Sequence, residues 1–158
     1  MKALSLTQPW ASLMAIGAKI NETRGWPCAY NGDIAICSTK EYWRNTVPDY
    51  ACDALIWLWS QAHDFPGYHG NVKDLYDSLP FGKVVCVVEK CGCVSTNDDN
   101  GDDRSLTSKE LELGDYSPGR FYYPTRNLRR LKEPVSVKGM QGLFNLPPEV
   151  EALVLKNI

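Results

Sequence analysis

The sequence predicts an α+β fold: a small mixed β-barrel with helices packed around it. Three observations carry that expectation. Several strand-like segments alternate with helical ones but show no βαβ rhythm, so a parallel doubly wound sheet is not indicated. Prolines and glycines fall between the periodic segments, not inside them. The length, 158 residues, suits one domain with a sizeable core, and residues 1–158 are read as that single domain.

The elements follow in order. Pro9 opens a helix over 9–16, with Thr7 or Gln8 as its cap. Trp10, Leu13, Met14 and Gly17 fall at helical spacing, and Gly17 is a natural stop. Residues 20–23 read as a short strand. Asn31-Gly32 signals a turn before an alternating strand over 33–38. A helix over 48–62 has an apolar face of Ala51, Leu55, Leu58 and Trp59, and a shorter one covers 72–79. The β-branched run over 83–89 reads as a buried strand. Residues 97–115 carry seven acids against Arg104 and Lys109 and read as a loop with a short helix over 108–113; the loop's exposure makes 97–103 a candidate protein contact. Strands over 121–131 and 142–146 and a helix over 148–156 complete the chain.

Composition excludes some functions. With 44% hydrophobic and 23% charged residues, neither disorder nor a fibre is indicated, and a net charge of −2 means that any nucleic-acid surface must be a local patch. No secretory signal is read, and the longest apolar run, Ala54-Leu55-Ile56-Trp57-Leu58-Trp59, is too short to span a bilayer, so a cytoplasmic protein without membrane contact is expected. Of six cysteines, Cys37 and Cys86 sit within apolar alternation and read as core. Cys91-Gly92-Cys93 has no C-x-x-C partner, and His63 and His69 flank a turn. A cluster of these four is conceivable, but reduced core and surface residues are the simpler reading, and neither metal nor cofactor is expected.

Two stretches carry chemistry. In the first, Lys19, Glu22 and Arg24 follow the Gly17 turn, bracketed by Trp10 and Trp26. Glu22 and Arg24 share a face of a regular strand. A partly buried lysine can act as a base, and a fixed arginine offers paired donors to a phosphate or a base edge. A salt-bridged turn in which Glu22 neutralises both cations fits the same spacing. Trp10 reads as packing and Trp26, in a loop beside Gly25 and Pro27, as a stacking ring. In the second, Arg120, Arg126, Arg129, Arg130, Lys132 and Lys138 face a single acid, Glu133, with Phe121, Tyr122 and Tyr123 among them. Arg120, Tyr123, Arg126 and Lys138 are therefore candidates for contacting a single strand; a solvated strand balanced by the acidic loop is the alternative. There is no P-loop, G-x-G-x-x-G, H-E-x-x-H or G-x-S-x-G motif.

The opening Leu6-Thr7-Gln8-Pro9-Trp10-Ala11-Ser12-Leu13 and the G-x-K-x-x-E-x-R pattern at Gly17, Lys19, Glu22 and Arg24 resemble ASCH domains, the activating-signal-cointegrator homology family. Leu113-Gly114-Asp115-Tyr116-Ser117-Pro118-Gly119-Arg120-Phe121 and Val137-Lys138-Gly139-Met140-Gln141-Gly142-Leu143-Phe144 are similar to later signatures of its bacterial and phage members. The resemblance implies a PUA-like barrel and a cleft walled by Lys19, Glu22 and Arg24. It further implies RNA, another single-stranded nucleic acid or a modified nucleoside as partner. Some members hydrolyse N4-acetylcytidine and others are described as ribonucleases. That would make Lys19 a base and Glu22 a proton relay. The acetylcytidine hydrolases pair a Lys with a Thr three residues later and a more distant Glu. Here the third position is Glu22, Thr23 lies one place on, and Glu110 and Glu112 are the candidates for the distant acid.

Overall fold

The computed structural model describes residues 1–41, 43, 48–61, 70–97 and 106–158. Its strands are β1 (Lys2–Leu6), β2 (Asn21–Arg24), β3 (Gly32–Ser38), β4 (Lys83–Lys90), β5 (Val94–Ser95), β6 (Phe121–Ser136) and β7 (Leu143–Asn145). Its helices are α1 (Trp10–Ala15), α2 (Asp49–Ser60), α3 (Val72–Ser78), α4 (Ser108–Glu112) and α5 (Pro148–Asn157). The strands form one curled sheet in the order β2-β6-β4-β3-β1-β7, with β5 on β6, making a half-barrel surrounded by the helices. Among the described residues only β1 and β3 run parallel; the other pairings are antiparallel.

The central strands are buried on both faces, as the unbroken apolar run of β4 requires. Ala3, Ala35, Cys37, Val84, Val87 and Phe144 face α5, while Leu4, Ile34, Ile36, Val85 and Val88 face Ala11 and Met14 of α1. Burial pushes the Cys37 and Cys86 thiols up to about 12, as befits core residues. A third cluster joins Leu13 to Leu55, Leu58, Leu75 and Leu113, fastening α2, α3 and the chain after α4 to α1.

Three elements differ from expectation. β1 was not anticipated, because Lys-Ala-Leu-Ser-Leu has little alternation of polarity; its place is set by β3 and β7 on either side. β5 is likewise only a two-residue pairing with β6. β6 extends past Leu131 to Ser136, pairing first with β2 over Phe121–Pro124 and then with β4. Register shifts against β4 mark bulges that curl the sheet. The cap of α1 is Pro9 itself; the Gln8 side chain accepts from Ser12 N–H at 3.2 Å and donates to the Pro80 carbonyl at 2.8 Å. No helix among the described residues is long and apolar enough to cross a membrane. His63, His69 and residues 98–105 of the acidic loop lie outside the described residues.

Candidate functional site

The sheet's terminal strands, β2 and β7, do not pair with each other. Along that seam lies an open cleft of about 1270 Å³. One wall comes from β2 and the chain after α4; the other comes from the ends of β1 and β3 and the segment between β6 and β7.

Local turns aim the first wall. Gly17 adopts φ 74°, which favours glycine, and the chain folds back so that Ala18 and Lys19 N–H both donate to the Leu13 carbonyl, at 3.0 and 3.2 Å. Lys19 is thereby turned inward and is only 2% exposed. Its ammonium lies 3.6 Å from Glu110 Oε1 and makes no hydrogen bond among the described residues. Glu110, itself 1% exposed, accepts from Ile20 N–H at 3.0 Å and from Asn21 N–H at 2.9 Å, while the Tyr116 hydroxyl donates to it at 3.3 Å. It thus clamps α4 to the start of β2. Gly114 completes the pocket around Lys19: a Cβ there would stand 2.6 Å from a Tyr116 ring carbon and 3.0 Å from Lys19 Nζ.

Strand alternation then brings Glu22 and Arg24 to the cleft. Arg24 Nε lies 2.9 Å from Glu22 Oε1, and its terminal nitrogen donates to the Ser5 carbonyl at 2.7 Å, crossing the seam to β1. Burial holds the Glu22 carboxyl above its ordinary range; Arg24 and then Lys19 oppose that rise. Trp26 lines the cleft, and its ring meets Tyr123 edge-on at 5.7 Å. Trp10, expected only to pack, also lines it and stacks on Tyr50 at 6.0 Å.

The basic strand is disposed differently. Of its candidates, Lys138 lines the cleft. Arg120 flanks it, donating to the Asp115 carbonyl at 3.0 Å and pairing with that carboxylate at 3.2 Å. Asp115 is held below its ordinary range, chiefly by the Ser117 hydroxyl. Tyr123 is not a stacking surface: it is 1% exposed, donates to the Trp26 carbonyl and carries Lys90 Nζ over its ring at 4.8 Å. Arg126 does not face the cleft; the register of β6 against β4 brings it to Glu89, 2.6 Å away on the surface. Among the described residues no group of three or more metal-binding side chains is placed to hold an ion.

Several solved structures share this fold. The ASCH protein from Zymomonas mobilis superposes with a TM-score of 0.55 at 13% identity, over 98% of this chain and 93% of that one. Its serine-to-alanine variant gives 0.53 at 15% identity (98% and 94% covered), and its tyrosine-to-phenylalanine variant 0.54 at 14% (98% and 96% covered). This chain has the ASCH fold. No family model matches the sequence, and no curated protein does. Within the ASCH fold, sequence reasoning named Glu110 as one of two candidate acids on a predicted helix, and it missed the placement of Tyr50, Ser5, Thr39 and Lys40 at the cleft. These four carry no motif; Tyr50 comes from α2, and the others from the ends of β1 and β3.

Proposed function

We propose that this ASCH-fold protein binds RNA or another single-stranded nucleic acid, taking a nucleotide unit into the seam cleft. The observation that carries this reading is the convergence of Lys19, Glu22 and Arg24 on one open cleft that also holds the rings of Trp10, Trp26 and Tyr50. A closed surface salt bridge would support no ligand. Here the Lys19 ammonium is buried without a hydrogen bond among the described residues, a costly state that a ligand's oxygen acceptor relieves. Glu22 accepts from an exocyclic amine, Arg24 braces it and the aromatic rings supply stacking faces. The resemblance of the G-x-K-x-x-E-x-R segment agrees with this reading.

The test is tryptophan fluorescence titration with short RNAs, single-stranded DNA and nucleosides. Saturable binding is expected, weakened at least about tenfold by Lys19→Ala or Arg24→Ala. No binding by any nucleic acid or nucleoside, or binding indifferent to both substitutions, overturns the reading.

A second reading has its own observation. The buried Lys19–Glu110 pair, with Glu22 and Thr23 on the same cleft, supplies the lysine and distant acid of a nucleoside or RNA hydrolase. In it Lys19, as the free amine once its proton has passed to Glu110, takes a proton from water or a substrate hydroxyl, and Glu22 relays a proton to the leaving amine or hydroxyl. Release of acetate from acetylated cytidine, or cleavage of RNA, by the wild type but not by Lys19→Ala supports this reading; no release from either substrate overturns it.

A further inference from the structure

The two walls of the cleft differ in charge. Its carboxylates, Glu22, Glu112 and Asp115, all belong to the β2 and α4 wall. The opposite wall holds Ser5, Thr39, Lys40 and Lys138 and no acid. Backbone contacts bring its two lysines together. Gly82 N–H donates to the Thr39 carbonyl and Val137 N–H to the Gly82 carbonyl, each at 3.0 Å. The Lys40 stem lies across Gly82, its Cγ only 2.8 Å from where a Cβ would stand. Lys40 and Lys138 thus each follow a residue bonded to one glycine, and among the described residues neither has a carboxylate within ion-pair distance.

The same wall carries two hydroxyls. Ser5 Oγ and Thr39 Oγ1 are both buried and make no hydrogen bond among the described residues. Gly139 lets the segment between β6 and β7 approach Ser5 closely, since a Cβ there would come within 2.7 Å of its Oγ. Two like charges without counter-ions on one wall repel, and two buried hydroxyls without partners cost stability. One tetrahedral anion relieves both conditions, taking hydrogen bonds from the hydroxyls and charge from the lysines.

We propose that Ser5, Thr39, Lys40 and Lys138 form a phosphate subsite for a nucleotide whose base occupies the Lys19–Glu22 wall. This rests on the nucleotide reading above for the identity of the ligand, though not for the existence of the anion site. The phosphate can be the terminal group of a mononucleotide or the internucleotide link of a strand. Arg24, donating to the Ser5 carbonyl while touching Glu22, ties the two walls together.

Two measurements test it. In the first, inorganic phosphate is titrated into isotope-labelled protein and the amide shifts of Ser5, Thr39 and Gly139 are followed. Saturable shifts that disappear in the K40Q/K138Q double variant are expected. No saturable shift there, or shifts that survive in the variant, overturns the subsite whether or not RNA binds. The second compares cytidine, its 3′- and 5′-monophosphates and a dinucleoside monophosphate. A phosphate-bearing ligand is expected to bind at least about tenfold tighter than cytidine, a gain lost in K40Q/K138Q. A gain confined to the monophosphates assigns the subsite to a terminal phosphate; one shared by the dinucleoside assigns it to a strand. Cytidine and nucleotides binding equally overturns it while leaving the nucleotide reading intact. Phosphate shifts without binding of any nucleoside or nucleic acid keep the subsite and remove that reading. Both lysines are exposed, so the variant is expected to fold with an unchanged unfolding midpoint.

Discussion

Two stretches of this chain gather cations and aromatic rings, the turn from Gly17 to Trp26 and strand β6, and the fold treats them in opposite ways. In the turn, Lys19 and Glu22 are drawn inside and Arg24 is half-buried, around a cleft. In β6, cations stay outside and meet acids on β4 and, beyond it, β3: Arg126 with Glu89, and Arg129 with Asp33, both at 2.6 Å. Glu89 is accordingly held below its ordinary range, first of all by its hydrogen bond from Arg126. The same composition gives a site in one case and a neutralised surface in the other. The difference lies in where the pairs sit: the Glu22–Arg24 pair and the buried Lys19 line a cleft, whereas Arg126 and Arg129 are matched outside it.

The largest effect expected from breaking that contrast is at Glu110. Glu110→Ala removes the acceptor for two backbone N–H groups of the β2 start and leaves the Lys19 ammonium buried without its counter-charge. A loss of about 3–5 kcal/mol is expected in urea unfolding. A loss below about 1 kcal/mol, the size of a surface pair, would mean that Lys19 is not held as a buried cation.

Gly114→Ala comes next. The new methyl meets the Tyr116 ring at 2.6 Å and Lys19 Nζ at 3.0 Å, so the ring or the lysine must move. Destabilisation of about 1–3 kcal/mol, as for overpacking, is expected together with weaker ligand binding. Gly92→Ala is the control: its Cβ would meet nothing within 4 Å, and unchanged stability and binding are expected. Equal behaviour of the two variants would contradict the tight packing at Lys19.

A smaller effect, read through pH, concerns Glu22. Burial raises its carboxyl above the ordinary 4.5, so the folded state holds that proton more tightly than the unfolded chain. Its stabilising contribution is complete below the ordinary value and is lost as pH rises through the raised one. Glu22→Gln removes this loss, so the variant is expected to gain on the wild type as pH rises from the acid range toward neutrality. Parallel unfolding midpoints across that range would contradict the raised carboxyl.

The contrast also explains what could be read from the sequence. The Pro9 helix with its Gly17 stop, the strand after Asn31-Gly32 and the β-branched run of β4 were legible, because neighbours in the chain determine each. β1 was not, since its Lys-Ala-Leu-Ser-Leu acquires meaning only between β3 and β7. In the site, Lys19, Glu22 and Arg24 were legible through spacing and resemblance. The Glu110 clamp was not, because it acts across 90 residues of chain on Ile20. Tyr123 misled because the basic-aromatic pattern of β6 does not show which rings face inward. Tyr122 and Tyr123 point to opposite faces, and both are buried.

The smallest effect expected is in β6 itself. Arg126→Ala and Arg129→Ala each remove a cation already matched by an acid, and Arg126 is two-thirds exposed, so binding of a short RNA is expected to stay at the wild-type value. Affinity alone is a weak discriminator, because a general loss of positive charge also weakens binding at low salt. The dependence on salt is sharper. Each phosphate contact contributes about −0.7 to the slope of log K against log salt for a single strand. Cations that release no counterions leave the slope unchanged. The R126A/R129A double variant is therefore expected to keep the wild-type slope, whereas K40Q/K138Q flattens it by about one contact or more. A flatter slope in R126A/R129A would return β6 to the interface and end the distinction between a neutralised strand and a charged cleft.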